Sequence, residues 1–443
     1  MRVSIIGTGY VGLVSGACLA ARGHEVVCVD LDADRVRQIN AKQAPIHEDG
    51  LSALLHETVG RTLSATTDLT EAVHGTEVSL IAVGTPFDGD RIDLGQLRTA
   101  VTALGVALAA KDAYHTVIVK STVVPGTTET LVGPLLEEAS GKRAGHDFGL
   151  GMNPEFLREG VAVSDFMNPD RIVLGGIDDR TVDALRLLYA PFHADLVVTS
   201  PATAEMIKYA SNSLLATLIS FSNEIANMCS AIGGLDVTEV MRGVHLDHRL
   251  NPILADGSRA NPASLTYLQA GCGFGGSCFP KDVKALMAHS HEHGYRPEIL
   301  EAVMTVNRDQ PGRLTSLLGR RLPDLANRRI TVLGLAFKPH TDDIRESPAL
   351  QVVTDLLEAG SIVTVHDPVA LRQFHAQYND QVIAQPNLEA ALTGAEAVIV
   401  TTSWPEYEGL PALIARINPD AILVDGRRMF SSEDFVMYEG IGL

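Results

Sequence analysis

The sequence predicts an α/β protein with two doubly wound, mostly parallel sheets and a long helix between them. Three observations support this fold class. A buried strand, Val3 to Ile6, leads into a glycine-rich turn and a helix, and strand and helix patterns then alternate. A similar strand–helix–strand unit returns between Arg329 and Asp367. Such alternation is typical of βαβ units and parallel sheets.

Length and charge limit what the chain can be. Its 443 residues are enough for two or three domains. The net charge of −19 argues against a nucleic-acid partner, which needs a basic face. The longest apolar helix candidate, near Leu214 to Ile232, is interrupted by Asn223, Glu224 and Asn227, and we expect a buried helix there and no membrane span.

The five cysteines are odd in number, scattered and without a C-x-x-C pair. We therefore expect no disulfide framework, no metal site and a reducing, cytoplasmic location. The chain begins directly with a strand pattern, which predicts that no signal peptide is present.

The turn after the first strand is Gly7-Thr8-Gly9-Tyr10-Val11-Gly12, and an acid, Asp30, closes the second strand about twenty residues on. This context predicts a dinucleotide site, with the pyrophosphate at the helix N-terminus. Asp30 would accept hydrogen bonds from ribose hydroxyls and repel a 2′-phosphate, which favours NAD over NADP. We interpret Arg35 as a ribose or adenine contact. The alternative is a doubly wound domain without a nucleotide.

Two further strands end in loops that are placed to touch the cofactor. One strand ends at Gly84-Thr85-Pro86 and the next ends at Ser121-Thr122. Ligands of parallel sheets lie beyond the carboxyl ends of the strands. Ser121 and Thr122 could bind a nicotinamide or a water, and turn and N-cap chemistry is the alternative role of these two residues.

Glu155 and Glu159 lie one turn apart if their segment is helical. Two close carboxylates repel, which would raise the pKa of one of them towards the range of a general acid. A solvated helix start is the alternative.

Lys208 and Asn212 have the same spacing in a helical pattern that runs to Ile232, and together they suit the stabilisation of an oxyanion. The alternative is a surface lysine with a helix asparagine.

The segment Gly273 to Asp282 places Cys278 between small residues and a Lys281-Asp282 pair, just before an apolar helical pattern from Val283. A helix N-terminus and a cation both favour the thiolate. Asp282 would position a water from one turn away. A small core cysteine in a tight glycine loop is the alternative.

The second sheet lacks the glycine fingerprint after its first strand, so we expect it to bind a different ligand. Lys338 and Arg345 are the basic residues available there for a phosphate-bearing ligand. The alternative is a salt-bridged loop over residues 341–348. Residues 251–264 are interpreted as a surface loop, and residues 320–328 as a linker.

Taken together, these motifs resemble the UDP-glucose/GDP-mannose dehydrogenase family over essentially the whole chain. The resemblance implies two Rossmann-like domains joined by a long central helix and a helical dimerisation region. It implies an NAD-binding domain over residues 1–200, a central region with the cysteine over 201–312, and a nucleotide-sugar domain over 313–443. A homodimer is expected.

The activity implied by the resemblance is a four-electron oxidation of the C6 alcohol of a nucleotide sugar, with two NAD. Cys278 would form a thiohemiacetal and then a thioester, Lys208 and Asn212 would stabilise the oxyanions, and Glu155 would act as acid and base in hydrolysis. Asp282 and Thr122 would hold the water. The implied cofactor contacts are Gly7, Gly9, Tyr10, Val11, Gly12, Asp30, Arg35, Gly84, Thr85, Pro86, Ser121, Thr122, Glu159, Lys281 and Arg345. The implied substrate contacts are Glu155, Phe156, Leu157, Glu159, Lys208, Asn212, Tyr267, Leu268, Gln269, Ala270, Gly271, Gly275 and Lys338.

The sequence leaves the substrate open. Features of both family branches are present, and UDP-glucose is favoured, with GDP-mannose second and UDP-N-acetylmannosamine as a further alternative. In this family an arginine of one subunit commonly reaches the substrate bound to the partner subunit. Arg249 and Arg259 are both candidates for that role in this chain. A two-electron 6-phosphogluconate-type hydroxyacid dehydrogenase needs no cysteine, and a nucleotide-sensing protein would bind NAD without turnover.

Overall fold

The computed structural model describes all 443 residues and divides them into two compact units, Met1–Ser211 and Asn212–Leu443. The boundary falls within a single 32-residue helix, α9 (Pro201–Ile232). The predicted fold class, with two parallel sheets and a long helix, is confirmed.

The first unit contains eight strands and, besides the start of α9, eight α-helices. In chain order they are β1 (Arg2–Ile6), α1 (Tyr10–Ala21), β2 (Glu25–Val29), α2 (Ala33–Asn40), α3 (Leu51–Thr58), β3 (Leu63–Thr66), α4 (Leu69–Gly75), β4 (Val78–Ile81), α5 (Gly95–Ala109), β5 (His115–Val119), α6 (Gly133–Ser140), β6 (Phe148–Met152), α7 (Ala162–Met167), β7 (Arg171–Gly176), α8 (Asp179–Tyr189) and β8 (Asp195–Thr199). A π-helical turn, Thr128–Val132, precedes α6.

The first sheet has the strand order β3-β2-β1-β4-β5-β6-β7-β8. Strands β1 to β6 are parallel, whereas β7 pairs antiparallel with β6. Because β1 pairs with both β2 and β4, the strand order reverses beside β1. In doubly wound sheets this switch point, at the carboxyl ends of the strands, is where ligands bind. Strands β4 and β5 are buried along their whole length, as expected for a sheet covered on both faces.

The second unit contains six strands and, besides the end of α9, eight α-helices. They are α10 (Val237–His245), α11 (Phe279–Glu292), α12 (Glu298–Asp309), α13 (Pro311–Arg321), β9 (Arg329–Leu333), α14 (Pro348–Glu358), β10 (Ile362–His366), α15 (Leu371–Tyr378), β11 (Ile383–Ala384), α16 (Leu388–Leu392), β12 (Ala397–Val400), α17 (Leu410–Ile417), β13 (Ile422–Asp425) and β14 (Met437–Gly440).

The second sheet is parallel throughout and has the order β11-β10-β9-β12-β13-β14. Its first strand, β9, pairs with both β10 and β12, so the switch point of the first sheet is repeated. An acid follows the second strand in each sheet. Asp30 accepts from the backbone N–H of Thr8 at 2.9 Å, and Asp367 accepts from those of Leu335 and Ala336 at 2.7 and 3.1 Å. The similarity between the two sheets inferred from the sequence is therefore confirmed in their backbone.

Two parts of the fold differ from the sequence-based expectation. The strands β7 and β8 were missed, although each contains an apolar run, Ile172 to Leu174 and Leu196 to Val198; β8 is mostly exposed. The linker predicted over 320–328 begins later, because α13 continues to Arg321.

None of the helices combines the length and the apolar character needed to cross a membrane.

Candidate active site

The glycine turn after β1 meets three distinct requirements. Gly7 has φ +93°, and a Cβ there would lie 2.7 Å from the carbonyl oxygen of Ala82. A Cβ on Gly12 would overlap the carbonyl of Gly7, so α1 can pack closely only with glycine at this position. Gly9, at the N-cap of α1, has no atom within 4 Å of its Cβ position. That open space beside a helix N-terminus fits the pyrophosphate of a dinucleotide.

Asp30 is held at the end of β2 facing this turn. Its Oδ2 accepts from Thr8 N at 2.9 Å and Thr8 Oγ1 at 2.5 Å, and Arg35 Nη1 lies 3.5 Å away. Burial raises the pKa of Asp30, but the hydrogen bonds and the guanidinium outweigh it and lower the pKa below its ordinary value. Asp30 is therefore a carboxylate, which fits hydrogen bonding to ribose hydroxyls.

The loops after β4 and β5 are bonded to each other. The Ser121 hydroxyl donates to Val83 O at 2.7 Å, and the Thr85 hydroxyl donates to Thr122 O at 2.7 Å. The Ser121 hydroxyl therefore binds a different loop, and this bond is not that of a turn or an N-cap. Thr122 is half-buried beside them, and Gly84 and Pro86 are exposed.

Lys208 and Glu155 form the most buried ion pair of the first unit. Nζ of Lys208 lies 2.8 Å from Oε1 of Glu155, with side chains only 4% and 6% exposed. The other oxygen, Oε2, accepts from Leu157 N at 2.6 Å. The centroid of the Phe156 ring is 3.9 Å from Arg171 Cζ and 5.4 Å from the Lys208 ammonium. The predicted residues Lys208, Glu155 and Phe156 are therefore in contact.

The expectation that carboxylate repulsion raises a pKa here is wrong for Glu155. Burial raises the pKa of Glu155, but the Lys208 ammonium and hydrogen bonds from Lys208 and Leu157 outweigh it, so the pKa lies below its ordinary value. The segment between β6 and α7 is also not helical around Glu155 and Glu159, which removes the assumed one-turn spacing. Glu159 is half-buried.

A polar network that the sequence did not suggest lies beside this pair. The Lys120 ammonium and the Tyr189 hydroxyl both donate to Asn153 Oδ1, at 2.9 and 2.5 Å. Burial lowers the pKa of Lys120 to about 8, the charge of Glu155 raises it and that of Lys208 lowers it. Lys120 and Asn153 directly follow β5 and β6, a position that could have marked them. Tyr189 is 36 residues from Asn153 and belongs to no motif, so the sequence did not indicate this hydrogen bond.

The Tyr10 hydroxyl forms hydrogen bonds with other residues of the first unit. Its hydroxyl donates to Glu48, and the backbone N–H of Gly160 donates to both Tyr10 and Glu48, at 2.9 and 2.8 Å. Burial, followed by the bond to Glu48, raises the pKa of Tyr10 far above its ordinary range. This contact was not foreseen.

Cys278 is the N-cap residue of α11. Its carbonyl accepts from Asp282 N at 2.8 Å, so the first turn is already helical and begins before the apolar pattern at Val283. The hydroxyl of Ser277 lies 3.5 Å from the half-buried sulfur. The predicted arrangement of a cysteine at a helix N-terminus, one turn from an acid, is present.

Asp282 is the centre of a polar cluster within the second unit. Its side chain is 1% exposed, and Asn212 Nδ2 donates to Oδ2 at 2.6 Å while Lys281 Nζ donates to Oδ1 at 2.6 Å. The structure thus brings Asn212, which the sequence singled out on a different helix, to the Lys281-Asp282 pair.

The glycines before Cys278 serve close packing of two loops. A Cβ on Gly275 would overlap the carbonyl of Glu346, and one on Gly276 would lie 2.8 Å from the ring of Phe337. Gly276 N donates to Arg345 O at 2.8 Å. The Arg345 guanidinium itself donates twice to Asp343, at 2.8 and 2.7 Å, so the salt-bridged loop considered for this segment is present. Lys338 Nζ lies 5.6 Å from the Phe337 ring centroid.

Backbone groups of the 267–271 segment form hydrogen bonds with side chains elsewhere in the second unit. The carbonyl of Leu268 is 2.9 Å from His245 Nε2. Gly271 N donates to Asn223 Oδ1 and Gly271 O accepts from Gln310 Nε2, both at 2.8 Å. Asn223 and Gln310 were missed as supports of this segment. Tyr267 packs its ring 6.2 Å from that of Phe279.

Gln269 and Ala270 line a cavity of about 560 Å³ in the second unit. Four arginines also line it, which makes it suited to an anion: Arg242, Arg259, Arg427 and Arg428. Of these four, only Arg259 was considered from the sequence. Arg427 and Arg428 were missed although they follow β13 closely and so lie at the carboxyl edge of the sheet. Arg249, the other arginine considered, is 79% exposed and paired with Asp247.

Comparison with known proteins gives the same family across the chain. Residues 1–193 match the NAD binding domain of the UDP-glucose/GDP-mannose dehydrogenase family, residues 202–309 its central domain, and residues 331–432 its UDP binding domain.

Three relatives illustrate the similarity. UDP-glucose 6-dehydrogenase AglM of Haloferax volcanii is 44% identical over the full length of both chains. GDP-mannose 6-dehydrogenase of Azotobacter vinelandii is 39% identical over 93% of each chain. The structure of a UDP-glucose dehydrogenase from Pyrobaculum islandicum has a TM-score of 0.91 and 40% identity, covering 99% of this chain and 97% of its own.

Proposed function

The chain belongs to the UDP-glucose/GDP-mannose dehydrogenase family, and we propose that it oxidises the C6 hydroxyl of UDP-glucose to a carboxylate, forming UDP-glucuronate. The observation that carries this proposal is Cys278 at the start of α11, one turn from an Asp282 that Asn212 and Lys281 hold in place. A nucleophile at a helix start beside a buried, oriented acid suits covalent catalysis on a carbonyl. The 44% identity to the Haloferax enzyme supports the choice of UDP-glucose.

Residues 1–200 form the proposed NAD-binding domain, residues 201–312 the central region and residues 313–443 the nucleotide-sugar domain. The open space at Gly9 and the charged Asp30 fit a bound NAD. Bound NAD supplies the hydride acceptor for both two-electron steps, from alcohol to aldehyde and from thiohemiacetal to thioester.

The chain's own residues carry out the covalent part. The thiolate of Cys278 adds to the C6 aldehyde, forming a C–S bond and an alkoxide, and the amide of Asn212 and the ammonium of Lys208 stabilise that negative charge. After the second oxidation, water adds to the thioester carbonyl. Collapse then breaks the C–S bond, releasing the carboxylic acid and regenerating the cysteine.

Hydrolysis needs a group that takes a proton from water. We assign this role to Glu155, which is ionised and in hydrogen-bond contact with Lys208. Asp282 and Thr122 are assigned to hold the water. The arginine-lined cavity is assigned to the nucleoside diphosphate because its guanidinium groups match phosphate oxygens.

GDP-mannose is the second candidate substrate, because the Azotobacter enzyme is nearly as similar as the relatives named for UDP-glucose. A two-electron hydroxyacid dehydrogenase is disfavoured because it leaves the placement of Cys278 unexplained.

We further propose a homodimer formed through α9. Leu214, Phe221 and Met228 recur every seven residues, and their side chains are 59%, 47% and 49% exposed. A seven-residue apolar repeat forms one continuous seam on a helix, which suits packing against a second copy.

We also propose that the protein acts in the cytoplasm, because a cysteine nucleophile must stay reduced.

The decisive experiment measures NADH against each sugar nucleotide, namely UDP-glucose, GDP-mannose and UDP-N-acetylmannosamine. We expect two NADH per acid formed and the highest kcat/KM with UDP-glucose. Cys278→Ala should form no uronate, whereas Cys272→Ala, which changes a buried cysteine six residues away, should retain activity. One NADH per turnover, or uronate formed by Cys278→Ala, would contradict the thioester mechanism.

A further inference from the structure

Glu205 is a completely buried carboxylate on α9 with three hydrogen-bond donors around it. Oε1 accepts from Thr128 N at 2.8 Å and from Thr128 Oγ1 at 2.6 Å, and Oε2 accepts from Gly126 N at 2.5 Å. All three donors lie in the segment that follows Thr122. A buried carboxylate with this many donors fixes the backbone that supplies them.

The segment from Thr122 to Thr128 is therefore held at both ends. Thr85 Oγ1 donates to Thr122 O at 2.7 Å at the start, and Glu205 holds Gly126 and Thr128 at the end. Between them, the side chain of Val123 is completely buried. Thr128 also begins the π-helical turn, an irregular geometry that is frequent at functional sites.

The same helix also holds the neighbouring loop. Lys208 follows Glu205 by three residues on α9 and binds Glu155, which lies beyond the carboxyl end of β6. Thr122 lies beyond the end of β5, the strand next to β6. One turn of α9 thus fixes two adjacent loops that carry residues assigned to hydrolysis.

Burial is the largest influence on the pKa of Glu205. Burial raises its pKa to about 7, while bonds from Thr128 and Gly126 lower it. The negative charge of Glu129, an exposed residue of the π-helical turn, raises the pKa of Glu205 further.

We propose that Glu205 is a positioning residue that sets Thr122 in place for the water-dependent step by holding Gly126 and Thr128 against α9. This inference rests on the proposed function for its kinetic consequence, but its structural consequence does not depend on the substrate. It assigns a role to a residue that touches neither NAD nor sugar.

The kinetic test is a double-mutant cycle with Glu205→Gln and Thr122→Ala. The NH2 group of glutamine cannot accept a hydrogen bond, so it would point at a donor of Gly126 or Thr128. At least one hydrogen bond between the loop and α9 would therefore be lost. We expect Glu205→Gln to lower kcat at least about tenfold with the KM for NAD and UDP-glucose within about threefold. We expect the double variant to lose little more than Thr122→Ala alone, because both changes act through one group.

The matched control is Glu129→Gln, which removes one negative charge from the same segment at an exposed position. It should keep kcat near the wild-type value. If Glu205→Gln does not fold, Thr128→Val removes only the hydroxyl donor and should give a smaller loss of the same kind. Wild-type kcat in the folded variant, or full additivity with Thr122→Ala, would overturn the proposal.

Amide hydrogen exchange separates this inference from the proposed function. Glu205→Gln should speed exchange at Gly126 and Thr128 in protein without substrate, and Glu129→Gln should not. Unchanged exchange at both amides would refute the positioning role. Faster exchange in a protein that turns over no nucleotide sugar would uphold the loop contact and refute the proposed function instead.

Discussion

Nζ of Lys208 lies 2.8 Å from Oε1 of Glu155, although the two residues are 53 positions apart and both side chains are almost completely buried. Each charge strongly stabilises the other at this site, because burial disfavours an ion that loses its partner. The pair therefore fixes the charge state of a proposed catalytic base and couples it to α9.

Replacing Lys208 by methionine should destabilise the protein more at neutral pH than in acid. In the wild type the pKa of Glu155 lies below its ordinary value, so the stability from its ionisation is present above that ordinary pKa and is lost as the pH falls. Without the ammonium, burial would raise the pKa, and ionisation at higher pH would cost stability. Urea unfolding should show a loss of about 3 to 5 kcal/mol at neutral pH and a smaller loss near pH 4.

The control for this prediction is Lys284→Met, which removes a partly exposed lysine paired with Glu346. Its effect should be within about 1 kcal/mol and nearly independent of pH. An equal loss at both pH values in Lys208→Met would contradict the role assigned to the buried pair.

Glu155→Gln should trap the enzyme as a thioester on Cys278. The amide cannot take a proton from water, so hydrolysis should slow by about 10²- to 10⁴-fold while the oxidations continue. Rapid mixing should show a burst of NADH followed by a slow phase, and mass spectrometry should find the acylated cysteine. Glu138→Gln, an exposed change on α6, should show no burst. A normal steady state in Glu155→Gln would assign the base to another residue.

Asp30→Ala should weaken NAD binding and reduce the preference over NADP. Loss of a charged acceptor for the ribose hydroxyls should raise the KM for NAD about tenfold or more, and the repulsion of a 2′-phosphate would disappear. Steady-state kinetics with both cofactors measures this ratio. Asp34→Ala, an exposed acid four residues on, serves as control and should change neither KM. An unchanged preference would place the ribose elsewhere.

Phe221→Glu should weaken the dimer proposed through α9. The substitution puts a charge in the middle of the apolar seam, where burial against a second copy would leave it unpaired. Sedimentation at micromolar concentration should show the mass fall from dimer to monomer. Ile299→Glu places the same charge at an exposed apolar residue of α12 and should leave the mass unchanged. A monomeric wild type would remove the basis of the prediction.

Much of the fold and part of the site were accessible from local sequence pattern. The strand before Gly7, the acid after β2 and the helix after Cys278 each depend on residues close in the chain. Their conformations follow from periodicity, glycine sterics and helix-start chemistry, all of which act over a few residues. The same is true of Lys208 and Asn212, whose common face follows from helical spacing.

Other features depended on contacts between distant residues. The pairing of Lys208 with Glu155 reversed the expected pKa shift of that carboxyl, and the bonds from Gly126 and Thr128 to Glu205 gave a role to a residue without a motif. Periodicity shows which face of an element is buried, but it does not show which buried polar groups meet across the chain. The sequence by itself determined the two sheets, the cofactor turn and the position of the cysteine. The tertiary structure alone decided which charges are paired, and hence how the carboxylates ionise, because burial and long-range contacts set those energies.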